Sequence, residues 1–215
     1  MANTKLREDW AALKVLLSAV GLLGTCRVVW RVEKAKRAGA PFQQLGIAVD
    51  EKESASRRQI QPAILLYQAL RELYDEARAL SIAAKVIEAS AHEFLTGIIG
   101  RIDEHELVQL TEPARASYVL DRLARIPNTE ATLDYARADG VQFTVSRCHF
   151  VELCHRLRLP ELAPLFCAVD ESYFGQVQEN VRLTRPTTLA KGGPNCRFQL
   201  EFSSTEGDDL GVTGR

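Results

Sequence analysis

At Asp139-Gly140 the hydrophobic residues of this chain change their period. Before that point apolar side chains recur at three- and four-residue steps, the spacing that gathers one face of an α-helix. After it, Val141, Phe143 and Val145 alternate with Gln142, Thr144 and Ser146, the two-residue period of a half-buried strand. The two halves together predict an α+β fold, with amino-terminal helices packed against a small antiparallel sheet and two short helices in the carboxy-terminal part.

The helical part opens with Leu6, Trp10, Leu13, Leu17 and Val20 on one face, with Arg7, Glu8 and Lys14 on the other. The apolar run from Trp10 to Trp30 reads as a buried helix. Lys14 and Arg27 interrupt it, whereas a bilayer crossing needs about 20 predominantly apolar residues. Gly39, Pro41 and Gly46 punctuate the next stretch, and the polar segment from Asp50 to Gln61 predicts a loop or frayed connection. One helix is expected through Leu66, Leu70, Leu73, Ala77, Leu80, Ala84 and Ile87, with Pro62 at its start. A break over 97–103 precedes a shorter helix through Ala116, Leu120, Leu123 and Ile126, stopped by Pro127.

Beyond Cys148, the residues Phe150, Val151, Cys154 and Leu157 return to helical spacing, and Pro160 opens a second short helix through Leu162, Leu165 and Phe166. Strands are expected at Val181 to Leu189 and Cys196 to Phe202, joined as an antiparallel hairpin by Gly192-Gly193-Pro194-Asn195. The length of 215 residues suits a single domain over 1–203, mainly helical over 1–135 and carrying the catalytic strand-helix-helix-hairpin over 136–203. Residues 204–215 are poor in large apolar groups and predict a flexible tail.

With 27 Lys and Arg against 28 Asp and Glu, the net charge of -1 leaves no basic surplus for a phosphate backbone, so nucleic acid is not an expected partner. A composition of 46% hydrophobic and 26% charged residues is that of an ordinary water-soluble protein, and no membrane partner is expected. Five cysteines, an odd number in a chain of this size, point to reduced thiols and a cytoplasmic location. Gly-rich phosphate loops, His-Glu-x-x-His and Gly-x-Ser-x-Gly are missing, and His149 and His155 beside Cys148 and Cys154 match no usual zinc spacing. Neither a cofactor nor a metal is therefore expected; a small molecule is the expected partner, and self-association is left open. His92 and His105 are read as ordinary residues without partners, and Cys26 and Cys154 as packing.

Chemistry-bearing residues concentrate between Arg147 and Phe198, where four of the five cysteines fall. A strand ending at Cys148, a helix carrying Cys167 and Asp170 one turn apart and a hairpin carrying Arg185 are expected to converge on one pocket. The series Cys148-x-Phe150, Leu159-Pro160-Glu161-Leu162, Cys167-x-x-Asp170, Arg185-x-x-Thr188-Leu189-Ala190-x-Gly192 and Cys196-x-Phe198 resembles the signature of the L-2-amino-thiazoline-4-carboxylic acid hydrolase family. Pro186 stands where a hydroxyl residue is more usual after the arginine. The resemblance covers about the last third of the chain and implies hydrolytic opening of a 2-aminothiazoline ring to N-carbamoyl-cysteine.

Such a reaction admits two designs from these residues. Cys148 or Cys167, ionised by a nearby cation, attacks the ring carbon; alternatively Asp170 acts as general base on a water. Arg182 or Arg185 would clamp a substrate carboxylate through its planar fork, with Thr188 and Cys196 completing the binding residues. The rival reading is a non-catalytic small-molecule sensor, because Thr188-x-x-x-Gly192 to Cys196-x-Phe198 is also similar to the end of the 4-vinyl-reductase-like domains.

Overall fold

In a computed structural model the described residues are 2–202, so the expected tail over 204–215 lies outside them. The helices are α1 (Ala2–Arg37), α2 (Glu51–Arg71), α3 (Glu76–Ile99), α4 (Glu104–Gln109), α5 (Glu112–Ala124), α6 (His149–Arg156) and α7 (Ala163–Ser172). The strands are β1 (Thr129–Ala136), β2 (Gly140–Cys148), β3 (Val181–Thr184) and β4 (Cys196–Phe202). All neighbours in the sheet are antiparallel, in the order β1-β2-β4-β3. The helix α3 packs against α1, α2 and α7, and α5 lies against β1. This is the α+β fold that the change of period predicts.

The alternation in β2 and β4 decides which sheet face is covered. Val141, Phe143 and Val145 are buried from β2, and Cys196, Phe198 and Leu200 from β4. Register pairs Phe143 with Phe198 and Val145 with Cys196, and the two phenylalanine rings stack at 4.6 Å. Such a cross-strand aromatic pair holds register as well as burying area. On the opposite face Gln142 and Thr144 donate to the Asp134 carboxylate of β1, at 3.0 and 2.8 Å. The close approach of β2 and β4 requires Gly140, because a Cβ there would lie 2.4 Å from the Leu200 carbonyl oxygen.

Four differences separate the structure from the sequence expectation, the third of them at the two edges of the sheet. The polar segment from Asp50 to Gln61 is helical, not loop: Asp50 caps α2 by accepting the Glu53 N–H at 2.6 Å, and Pro62 lies inside the helix rather than at its start. Two of its charged residues, Glu53 and Arg57, are buried as a pair, with the Glu53 carboxylate accepting from Arg57 Nε at 3.0 Å and from Arg156 Nη1 of α6 at 2.7 Å. The single helix expected through Leu66 and Ile87 is divided by a turn over 72–75, after which Asp75 caps α3 by accepting the Arg78 N–H at 2.9 Å. The edge strand β1 follows the helix stop at Pro127, where no strand is expected, and the other edge strand β3 ends at Thr184 rather than Leu189, so that Arg185 leaves the sheet.

The fourth difference is α1, which is not a buried helix. Leu16, Thr25 and Val28 face inward, but Leu6, Trp10, Leu22, Leu23 and Trp30 are exposed, Leu23 to 77% and Trp30 to 60%. Apolar residues occur around the whole helix, and packing on α2 and α3 covers one side of it. Gly21 breaks the helix at φ 68, ψ 177, backbone angles that L side chains rarely adopt. By length and composition, Thr4–Arg37 is long and apolar enough to cross a membrane.

Candidate functional site

Cys148 ends β2 in extended conformation and stands at the amino-terminal cap of α6. Its thiol lies 3.9 Å from the Asn128 amide nitrogen. One helical turn of α7 separates Cys167 from Asp170, so both point to the same side. Because β3 stops at Thr184, Arg185 turns away from the ladder, and β4 begins at Cys196 across from Val145. Cys148, Cys167, Asp170, Arg185 and Cys196 together line one cavity of about 200 Å³. Most of the remaining wall is apolar, with Phe143, Val145, Phe150, Phe166 and Phe198 among its residues.

The guanidinium of Arg185, with a side chain only 2% exposed, is the organising group. Nη1 donates to Asp170 Oδ2 at 2.7 Å, and Nη2 donates to the Cys167 carbonyl at 2.7 Å and to Glu171 Oε1 at 3.1 Å. Its central carbon sits 4.9 Å from the Phe198 ring centroid, a cation over an aromatic face. The fork expected to hold a substrate carboxylate is therefore engaged by the protein's own carboxylates, and Nε is buried without a partner among the described residues.

Burial pushes the Asp170 carboxyl up to about 6, against the opposing pull of the Arg185 charge and hydrogen bond. The neighbouring Glu171 charge adds to that rise. Burial pushes the Cys167 thiol up to about 12, again opposed by Arg185. Cys148 is raised by burial too, although the Val151 and Phe150 backbone N–H groups and the Asn128 side chain favour its thiolate. Cys196 rises for the same reason, opposed first by the Leu189 N–H, which donates to its sulfur at 3.2 Å. The three thiols are consequently protonated at neutral pH, whereas Asp170 titrates just below it.

Two expected site residues are not brought to the cavity. Arg182 is exposed on β3 beside a separate shallow hollow that includes Glu171, Phe174 and Glu179. Thr188 is buried with its hydroxyl oxygen unpartnered among the described residues, and its carbonyl accepts from the Lys191 and Gly193 N–H groups in the turn before β4. Polar residues that sequence reasoning missed also line the cavity, Gln59, Arg122 and Asn128 among them. Gln59 contributes a buried side-chain oxygen without a partner among the described residues, Asn128 faces Cys148, and Arg122 lies over the Tyr118 ring, 3.2 Å from its centroid. Asn128 had a signal in the helix stop at Pro127, but Gln59 and Arg122 reach the site only through tertiary packing.

Among the remaining candidates, His149 is buried with Nδ1 3.9 Å from Glu152 and with Nε2 unpartnered among the described residues. His92 does have partners, contrary to expectation: Nε2 is 2.7 Å from the Ser172 hydroxyl, and its ring meets Tyr173 edge-on. Cys154 is packed in the core, whereas Cys26, expected there as well, is exposed on α1. Among the described residues no group of three or more His, Cys, Asp and Glu side chains is arranged to hold a metal ion.

Fold and cavity together define an α+β protein organised around a hollow that carries thiols, a carboxylate and a guanidinium. Residues 55–200 match the family model described as L-2-amino-thiazoline-4-carboxylic acid hydrolase, and the chain belongs to that family. The family name denotes hydrolase activity. No curated protein and no solved structure matches the chain. The matched segment runs from α2 into β4, so it contains the five converging residues and Gln59, Arg122 and Asn128, and it leaves out α1.

Proposed function

We propose that the protein is a hydrolase opening a small cyclic amidine- or thiazoline-like substrate that bears a carboxylate, with water activated by Asp170. The observation that carries this reading is the Asp170–Arg185 pair on the wall of a cavity sized for a small molecule. A carboxyl near 6 is largely ionised at pH 7 and still basic enough to take a proton, as a general base must. Thiols held protonated by burial are poor resting nucleophiles, which favours the water route over attack by Cys148 or Cys167.

In this mechanism Asp170 receives a proton as the water oxygen bonds to the ring carbon held between nitrogen and sulfur. The C–S bond then breaks and the carbon–oxygen bond becomes a carbonyl. Of the two water protons, one ends on the ring nitrogen and one on the released sulfur. Arg185 holds the Asp170 carboxylate in place throughout. With that fork occupied, Arg122 is the other cation on the described wall: its Nε and Nη1 donate to the Ile99 and Tyr118 carbonyls, and its remaining nitrogen, Nη2, takes the substrate carboxylate.

The apolar remainder of the wall favours a second reading, a sensor that binds an apolar small molecule without converting it. A panel of thiazolines, cyclic amidines, lactams and cyclic ureas, read by mass for addition of one water, separates the two. Turnover is expected for a carboxylate-bearing member, with Asp170→Asn lowering kcat by about 10²–10⁴-fold and Cys148→Ser and Cys167→Ser within about tenfold of the parent, since neither thiol takes a proton in this route. Binding without conversion across the panel, or a covalent adduct on either cysteine during turnover, is the contrary result. Location in the cytoplasm belongs to the same proposal.

A further inference from the structure

Outside the family-matched segment, α1 carries an apolar surface that the other described residues leave uncovered. Past the break at Gly21, Leu22, Leu23, Cys26, Val29 and Trp30 follow at short helical steps and are all exposed, while Thr25 and Val28 point inward. The stripe is accompanied by five cations, Arg27, Arg31, Lys34, Lys36 and Arg37, and by one carboxylate, Glu33, in a chain whose net charge is -1. The chain's two tryptophans, Trp10 and Trp30, both lie on α1 and both are exposed. Each has a lysine over its ring, Lys14 at 5.1 Å and Lys34 at 5.2 Å from the centroid.

We propose that this face of α1 docks on an anionic lipid surface, with the helix lying in the interfacial plane. Leucine and tryptophan on one side with lysine and arginine beside them are what such a surface selects: apolar groups enter the acyl boundary while cations meet the headgroups. Tryptophan favours that boundary, and lysine stems extend along apolar surface to keep their charge in water. Insertion across the bilayer is disfavoured, because Leu16 and Val28 are buried in the helical core and Arg31 Nε donates to Glu72 Oε2 of the turn after α2 at 2.9 Å. A second copy is a poorer cover, since pairing this stripe with itself sets one cationic segment against another.

The test is flotation of the full chain with vesicles of phosphatidylcholine alone and of phosphatidylcholine with phosphatidylglycerol, followed by tryptophan emission. Both tryptophans sit on α1, so the signal belongs to that helix. The expected result is binding to the anionic vesicles, a blue shift, quenching by brominated lipid, and loss of binding at high salt. Leu22→Ser with Leu23→Ser, and separately Arg27→Glu with Lys34→Glu, are each expected to weaken binding at least tenfold while the thermal melt stays unchanged, because these side chains are exposed. Failure to bind either vesicle, equal binding to both, or a dimer that the paired leucine substitutions dissolve without any vesicle binding would each overturn the proposal.

Discussion

The side chains that matter most are those whose charge is decided by a partner distant in sequence. Glu53 is buried, yet hydrogen bonds from Arg57, the Val49 N–H and Arg156 outweigh its desolvation and hold its carboxyl down to about 2, from an ordinary value of 4.5. A folded-state value below the unfolded one stabilises the fold fully above the unfolded value, and that contribution is lost as pH falls from about 4.5 towards 2. Glu53→Gln should therefore lower stability by about 3 kcal/mol at neutral pH, the scale of a broken buried pair, and by progressively less in acid. Urea midpoints at pH 7 and pH 3 check this; an equal loss at both would contradict it. Arg57 and Arg156 were visible as charges in the sequence, but their use as partners was not. The same holds for Arg185, which the motif marked and whose fork is engaged by Asp170 and Glu171 across the fold.

At the level of elements, what the sequence revealed follows from how local the controlling interaction is. Strand β2 and the alternation in β4 were legible because burial on one sheet face writes a period of two directly into neighbouring residues. The first half of α2 was not, because its polar residues looked unfit for burial until Arg156 and the Gly46 carbonyl, which accepts from Arg57, supplied partners. The extent of α1 was legible and its exposure was not: apolar composition does not say how many neighbours will arrive to cover it. The β2–β4 pairing fixes one wall of the cavity, and Gly140 makes it possible. Gly140→Ala forces a Cβ against the Leu200 carbonyl and should lower stability by about 1–3 kcal/mol, with a matching loss of activity as the wall from Phe143 to Cys196 shifts. Thermal melts measure the first effect; a Tm indistinguishable from the parent would show that the strands do not approach so closely.

Across the whole molecule, one hydrophobic core runs from Leu16 of α1 through α2, α3 and α7 to Leu200 of β4, and the cavity opens within it. Its wall draws Gln59 from α2, Arg122 from α5, Cys167 and Asp170 from α7 and Cys196 from β4, so the site exists only when helices and sheet are assembled. Such a setting explains why burial raises the Asp170 carboxyl and the Cys148, Cys167 and Cys196 thiols, and why the carboxylate, not a thiol, changes charge near neutrality. Catalysis by Asp170 then carries a distinctive signature. The pH dependence of kcat/KM for ring opening, compared between the parent and Asp170→Asn, is the most direct test: the parent should rise through a single step near pH 6 and level off above it, and the variant should be slow and lack that step. A rate that instead climbs through the alkaline range of a thiol, or a step near pH 6 that survives in Asp170→Asn, would contradict the account.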